Sequence, residues 1–142
     1  MTKEEALGLL KSNVERFNEL RENGEEKLDL SGVNLSGTNL EKANLRRITF
    51  AGANFQKANL SGAQLTGDNL EDVDFRGADL TDASFHHATL QGADMREVKC
   101  SPDTRRGRFC VSAASFERVS WDKSFLEEVL SILNQNKNWD IK

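Results

Sequence analysis

The chain has little cysteine and proline and no long apolar run. Only two cysteines, Cys100 and Cys110, occur in 142 residues, which are too few for a disulfide framework or for a zinc site built from cysteine pairs. No stretch approaches the 18 or so apolar residues of a membrane-spanning helix. We therefore expect no disulfide scaffold and no membrane span.

The sequence also lacks a secretory signal and a strong excess of charge. Its N-terminus, MTKEEALGLLKSNVERFNEL, is charged throughout and has no small-residue cleavage site, so we expect a cytoplasmic protein. A formal net charge of -4 and a pI near 5.3 give no general reason to bind nucleic acid or an anionic membrane. The length suits one domain over residues 1–142 with its own core.

The chain does contain an apolar pattern that returns every five residues. Leu, Phe, Met or Cys occupies every fifth position from 30 to 100, and a residue that is usually smaller stands two positions earlier, as at Ala53 and Ala58. Asparagine or aspartate commonly lies between the two, and glycine often follows the large residue by two positions, where it suits a tight corner. Neither an α-helix, with a period near 3.6, nor a strand, with a period of 2, has this repeat.

The segments ANLSGAQL and GADLTDASF share the motif A(N/D)LxxA(N/D)L. On this motif the chain resembles the pentapeptide-repeat family from Leu28 to about Ser101. The resemblance implies an all-β solenoid, a right-handed quadrilateral β-helix in which four pentapeptides make one square coil. One large and one small side chain per side would fill its narrow interior.

Both ends of the chain predict α-helices. Thr2 and Glu5 form a capping box, and one helical face over residues 3–23 collects apolar side chains. These are Ala6, Leu7, Leu10, Val14, Phe17 and Leu20. Ser124 and Glu127 form a second capping box, which predicts a helix over residues 124–135. Open coil ends would expose apolar core and backbone, so we interpret both helices as caps. The C-terminal helix could instead join two subunits, but we favour the cap and a monomer.

The five-residue register breaks after Cys100, in an irregular loop over residues 101–108 that contains the only proline. It resumes one residue late, at pairs such as Val119 and Trp121. A bulged corner explains this shift better than an end of the coil. We therefore predict a β-helix over residues 28–122 with four to five coils.

If residues twenty apart lie above one another, one edge of the solenoid collects basic side chains. These are Arg46, Arg47, His86, His87, Arg105, Arg106 and Arg108. No acidic residue interrupts the column, which makes this edge a candidate site for an anionic ligand or an acidic partner, strongest below about pH 6.5, where histidine side chains become charged. The alternative is a solvated corner that binds no ligand.

Asp68 is the one charged residue in the inward column of small side chains. A buried, unpaired carboxylate is costly, so we expect that the coil opens there, that a hydrogen bond satisfies the carboxyl group, or that its pKa rises. Cys100 should point inward and Cys110 outward, so we expect no disulfide between them. No third ligand completes a zinc set beside His86 and His87, so we expect no metal.

No sequence motif points to catalysis, since the chain has no glycine-rich phosphate loop and no nucleophile-elbow serine. We predict a non-enzymatic binding scaffold without a cofactor, whose faces bind a protein partner. The family resemblance supplies a second hypothesis, because some pentapeptide-repeat proteins mimic duplex DNA, bind DNA gyrase and protect it from quinolones. Those members are longer, strongly anionic and dimerise through the C-terminal end, whereas this chain has a basic edge. We do not expect direct nucleic-acid binding.

Overall fold

A computed structural model describes residues 1–22, 26–99, 119–120, 123 and 127. Two helices, α1 (Lys3–Ser12) and α2 (Val14–Arg21), come first. Two short strands, β1 (Leu28–Asp29) and β2 (Ile48–Thr49), pair in parallel. From residue 30 to 99 the chain alternates short extended pieces with tight turns, one of each every five residues. In the described part of the chain, no helix is long and apolar enough to cross a membrane.

Residues twenty positions apart lie above one another. Asn34 pairs in parallel with Asn54, Asn54 with Asp74, and Asp74 with Asp94. The other sides show the same spacing, as in the pair Asn39 and Asn59. A repeat of five along the chain and of twenty between paired residues requires four sides to each coil. The described residues therefore form a four-sided parallel β-helix, which confirms the predicted solenoid.

Two sets of backbone hydrogen bonds join each coil to the next. Leu35 N–H donates to the carbonyl of Asn54 at 2.8 Å, and Asn54 N–H donates to the carbonyl of Val33 at 2.9 Å. Within a coil, most turns are closed by a bond such as Ala58 N–H to the Phe55 carbonyl, at 3.0 Å. Backbone groups beside an apolar interior need such partners, because an unpaired one is costly to bury.

The inward columns of side chains are buried as the repeat predicts, except that Leu28, Thr38 and Val98 of the small column are half-buried. The large column from Leu30 to Met95 is at most 1% exposed. Four phenylalanine rings contact one another in series inside it, with centroid separations of 5.1, 5.4 and 6.0 Å along Phe50, Phe55, Phe75 and Phe85. The middle pair is stacked and the outer two are edge-to-face. Burying one such side chain contributes about 1.5–3 kcal/mol, so the apolar interior is the main source of stability.

At three of the four corners, glycine alternates with a longer side chain in successive coils, and the fourth corner is mostly glycine. At one corner Lys42, with φ of 55°, lies below Gly62, with φ of 66°, and Asp82, with φ of 57°, lies above. A Cβ atom at Gly62 would stand 3.2 Å from Lys42 Cγ. Glycine adopts this left-handed backbone conformation without steric strain, and it also leaves room for the side chain of the coil below.

The N-terminal segment forms two helices, so the prediction of one helix over residues 3–23 is wrong. The predicted capping box is present, since Glu5 N–H donates to Thr2 Oγ1 at 3.1 Å and Thr2 N–H donates to Glu5 Oε2 at 2.8 Å. However, α1 ends at Asn13, whose side chain accepts a hydrogen bond from Arg16 N–H at 2.9 Å and begins α2. Asparagine favours such a cap because its short side chain competes for backbone N–H groups.

The break at Asn13 changes which residues of α2 face the core. Phe17 is buried in the same apolar cluster as Leu10 and the coil interior. Leu20, which the sequence placed on the buried face, is 46% exposed, whereas Arg21 is only 7% exposed. A charged side chain thus takes a core-facing position at the end of α2.

Beyond residue 99 only a few residues are described. Ser120 pairs in parallel with Asp94, so these partners are 26 residues apart, a spacing of five pentapeptides plus the one-residue change of register that the sequence indicates. Lys123 and Glu127 are helical. The predicted loop over residues 101–108, both cysteines and the rest of the predicted helix over residues 124–135 lie outside the described residues.

Candidate interaction edge

Four of the seven residues of the predicted basic edge come together at one corner of the β-helix. Asn44, Gln64 and Ser84 pair in parallel along one side, so the turns that follow them are stacked. These turns are Arg46–Arg47, Thr66–Gly67 and His86–His87. Neighbouring coils are about 4.8 Å apart, which separates the arginine turn from the histidine turn by about 10 Å. Arg105, Arg106 and Arg108 lie outside the described residues.

The side chains of this corner lie at the surface. Arg46, Arg47 and His87 are exposed, and His86 is half-buried. Arg46 Nε donates a hydrogen bond to Asn44 Oδ1 at 2.9 Å, which orients its guanidinium group. The two imidazole rings have centroids 6.2 Å apart. We call the Arg46–Arg47 and His86–His87 turns the basic corner.

Asp68 lies behind the basic corner and is only 2% exposed. Its Oδ1 accepts a hydrogen bond from Ile48 N–H at 2.9 Å. The N–H of Arg47 donates to the carbonyl of Thr66 at 3.1 Å and also lies close enough to lower the pKa of the Asp68 carboxyl group. At most other corners the equivalent N–H bonds to the carbonyl three residues earlier, as Ala53 N–H does to Phe50 at 2.8 Å. Ile48 makes no such bond to a described residue, so Asp68 supplies the missing acceptor.

Arg21 approaches the same corner from the end of α2. One guanidinium nitrogen donates to the carbonyl of Arg46, and another donates to the carbonyl of Glu26 at 2.9 Å. Arg21 Nε and Asp68 Oδ2 are both buried, and neither has a hydrogen-bond partner within the described ranges. Together, Arg21 and Asp68 hold residues 46–48 from inside the molecule.

Burial raises the pKa of Asp68 to about 8, because removing a carboxylate from water penalises its charged form. The backbone N–H groups of Ile48 and Arg47 and the charge of Arg21 oppose this rise but do not outweigh it. Of the three possibilities raised for Asp68, the structure shows two, a hydrogen bond and a raised pKa.

The same burial lowers the pKa of Arg21, an effect that the charge of Asp68 opposes. A guanidinium group nevertheless stays charged in proteins. Three positive groups, those of Arg21, Arg46 and Arg47, therefore meet at this corner near a carboxyl group that is mainly neutral at pH 7. Arg21 was not among the predicted site residues, although its position four residues after Phe17 places it on the buried face of the helix.

The charges on another side of the β-helix are paired. Arg76 and Arg96 each bind the aspartate two residues earlier, at 2.7 Å to Asp74 and 2.6 Å to Asp94. Arg76 Nε also lies 3.7 Å from Asp94 Oδ2. The hydrogen bonds from these arginines lower the pKa of both aspartates. This ladder, unlike the basic corner, alternates the two signs of charge.

Among the described residues, no group of three or more His, Cys, Asp or Glu side chains is placed to hold a metal ion. Among the described inward positions that are fully buried, Asp68 is the one polar residue. A ligand or partner of the described coils must therefore bind to their outer surface.

The family model for pentapeptide repeats matches this chain in eight copies, over residues 29–67 and 58–97. No curated protein sequence matches it. A solved pentapeptide repeat protein (Rfr23) from the cyanobacterium Cyanothece 51142 is 24% identical over 71% of this chain, with a TM-score of 0.52. This chain spans 65% of that protein's length. The likeness shows the fold, which pentapeptide repeats build as a right-handed β-helix.

Two further solved structures are similar at lower scores. The pentapeptide repeat protein alr5209 from Nostoc Pcc 7120 is 27% identical, over 70% of this chain and 83% of its own, with a TM-score of 0.45. QnrB1, a plasmid-mediated fluoroquinolone resistance protein, is 14% identical, over 82% of this chain and 92% of its own, with a TM-score of 0.26. These TM-scores are too low to carry an argument about this chain.

Replacing Asp68 tests its role as an acceptor. Asp68→Ala should destabilise the protein by about 1–3 kcal/mol, because it leaves the buried N–H of Ile48 without a partner. Asp68→Asn keeps an Oδ1 acceptor for this N–H and should therefore destabilise the protein less than Asp68→Ala. Urea unfolding of the three proteins measures the difference. An alanine variant as stable as the wild type would show that Asp68 is merely tolerated.

The raised pKa of Asp68 also predicts how stability depends on pH. The folded chain keeps this proton up to about pH 8, whereas the unfolded chain releases it near the ordinary value of 3.8. Between these values the folded state binds more protons, so raising the pH favours unfolding. The stability of the wild type relative to Asp68→Asn should fall across this window, by at most about 1.4 kcal/mol per pH unit. A stability difference that stays constant from about pH 4.5 to 7.5 in urea unfolding contradicts this assignment.

Proposed function

Since residues 29–97 belong to the pentapeptide-repeat family, we propose that the chain is a non-enzymatic scaffold that binds an acidic protein surface through its basic corner. The observation that carries this proposal is the concentration of positive charge at Arg21, Arg46 and Arg47. Other arginines of the described coils, Arg76 and Arg96, are matched by aspartates. An acidic partner would therefore be attracted to this corner more than to the paired ladder.

The rigidity of the corner supports a binding role. Arg21 and Asp68 hold the backbone of residues 46–48 from inside, and Asn44 orients the side chain of Arg46. A group that is already ordered loses less entropy when it binds a partner. His86 and His87 lie on the same corner and would add positive charge as the pH falls below about 6.5. In this proposal Arg105, Arg106 and Arg108 extend the surface.

The N-terminal helices serve as a cap in this proposal. Lys3 Nζ donates to the carbonyl of Ser31 at 2.7 Å, and Asn18 Oδ1 accepts a hydrogen bond from Asn44 N–H at 2.7 Å. These contacts pair backbone groups of the first coil that have no coil beneath them. We further propose that the helix over residues 124–135 caps the other end of a four- to five-coil β-helix over residues 28–122, and that the protein is a cytoplasmic monomer.

Gyrase binding by DNA mimicry, the second hypothesis from the sequence, has no specific observation in its favour. The likeness to QnrB1 has a TM-score of 0.26. A cluster of three arginines is also the opposite of what an imitation of the anionic DNA backbone requires. We therefore prefer the scaffold with an acidic protein partner.

Removing the two surface arginines tests the proposal. The double variant Arg46→Ser with Arg47→Ser should elute from a heparin column at lower salt than the wild type, because anion binding depends on the local density of charge. The matched control is Arg76→Ser with Arg96→Ser, which removes the same two charges from the paired ladder and should shift elution less.

Equal shifts for the two double variants would show that retention follows net charge alone, and the basic corner would then have no special role. The triple variant Arg105→Ser, Arg106→Ser and Arg108→Ser asks the same question of the predicted extension. Unchanged retention of that variant would remove these three residues from the proposed surface.

A further inference from the structure

The lower edge of the first coil carries backbone groups that no described residue pairs. One coil higher, Asn59 N–H donates to Thr38, and the carbonyls of Asn59 and Ser61 accept from Leu40 and Lys42 at 2.7 and 2.8 Å. The equivalent groups of the first coil are the N–H and carbonyl of Asn39 and the carbonyl of Glu41. Within the ranges that the structure describes, none of the three has a hydrogen-bond partner.

The helices pair other parts of this edge but not this side. Lys3 binds the carbonyl of Ser31, Asn18 binds the N–H of Asn44, and Arg21 binds the carbonyl of Arg46. These contacts lie on either side of Asn39–Glu41 along the coil. On the preceding side of the coil, the N–H and carbonyl of Asn34 and the carbonyl of Ser36 also have no hydrogen-bond partner among the described residues. Of these two uncovered sides, Asn39–Glu41 is the one that faces the helices across a groove.

This groove has a volume of about 680 Å³. Its coil wall is formed by Asn39, Glu41 and Lys42, and its helical wall runs from Leu10 to Glu15 and includes Asn18. This volume falls within the range of about 300–1,000 Å³ that is usual for small-ligand sites. A groove of this size suits a single extended segment.

The helical wall offers one charge of each sign. Lys11 and Glu15 are exposed and line the groove on either side of Asn13. Neither takes part in an ion pair with another described residue. An occupant with one acidic and one basic side chain would complement both, in addition to pairing with the backbone edge.

We propose that this groove binds an extended peptide segment of a partner protein, which carries charges of both signs and pairs in parallel with residues 39–41. The parallel direction follows from every pairing between described coils. Adding a strand to an exposed edge is an established mode of peptide recognition, in which the backbone supplies the hydrogen bonds and side chains supply specificity.

The probe is the synthetic peptide RGADLTD, the sequence of residues 76–82. In the folded chain these residues occupy the same side of the β-helix, where Asp79 pairs with Asn59, and they carry both signs of charge. In the groove, the leucine N–H would donate to the Asn39 carbonyl, and the last aspartate N–H would donate to Glu41. The control peptide, RGADPTD, lacks the leucine N–H because proline has no backbone donor.

Amide hydrogen exchange of the full-length protein, followed by NMR, reads out the pairing. RGADLTD should slow exchange at the Asn39 amide, which would donate to the alanine carbonyl of the peptide. RGADPTD keeps that carbonyl but cannot donate to the Asn39 carbonyl, so it should bind more weakly and slow exchange less at the same concentration. Lys11→Glu should weaken RGADLTD binding about two- to fivefold, the effect of one exposed ion pair. Lys27→Glu makes the same charge change outside the groove and should leave the affinity unchanged.

Three results would overturn the proposal. Equal protection of the Asn39 amide by both peptides at the same concentration would exclude the bond from the leucine N–H and with it the proposed pairing. An Asn39 amide that RGADLTD leaves unaffected at millimolar concentration would exclude the groove. Protection of this amide as the protein alone is concentrated would identify a second copy of the chain as the occupant.

Discussion

The structure depends on one constraint, the hydrogen bonding of each coil to residues twenty positions away. A single pentapeptide cannot bury its own apolar face, so no side of the square is stable until another side lies above or below it. The narrow interior then allows one large and one small side chain per side, as Leu60 and Ala58 show. The same spacing places surface side chains in columns, in which neighbouring coils are about 4.8 Å apart. The winding of the chain therefore determines which charged side chains lie next to one another.

The basic corner shows what happens where the repeat is broken. Asp68 replaces a small apolar residue in the inward column, and Ile48 below it lacks the usual turn bond. Arg21, at the end of α2, donates a hydrogen bond to the carbonyl of Arg46 in the same turn. At this corner, hydrogen bonds to Asp68 and from Arg21 hold the backbone. At most other corners, a turn hydrogen bond and a small apolar side chain serve the same purpose. Such local departures from an otherwise consistent pattern are where functional sites are expected.

Much of the fold could be predicted because the repeat is written directly in the sequence. The period of five, the two inward columns and the stacking of Arg46 below His86 all follow from counting residues. The break at Asn13 could not be foreseen in the same way, since the apolar spacing from Ala6 to Leu20 fits one continuous helix. The exposure of Leu20 was missed with it, whereas the burial of Arg21 follows from its position four residues after the buried Phe17.

The outcome at Asp68 also required the structure. The sequence showed a carboxylate in an inward column, but whether a backbone N–H was available depended on the turn below it. The unpaired edge at Asn39 is another feature of this kind, because it depends on which backbone groups the N-terminal helices reach. The repeat predicts the regular coils. Features such as the Asp68 hydrogen bond and the unpaired edge depend on contacts between different elements, which the repeat does not specify.

The most direct test of this account is the residue-by-residue rate of amide hydrogen exchange in the full chain. Amides that donate between coils, such as those of Leu35, Asn54 and Asp74, should exchange slowly through residues 30–99, because stacked coils open together rather than one side at a time. Rapid exchange at these amides, with protection confined to α1 and α2, would contradict the stacked β-helix and every inference drawn from it.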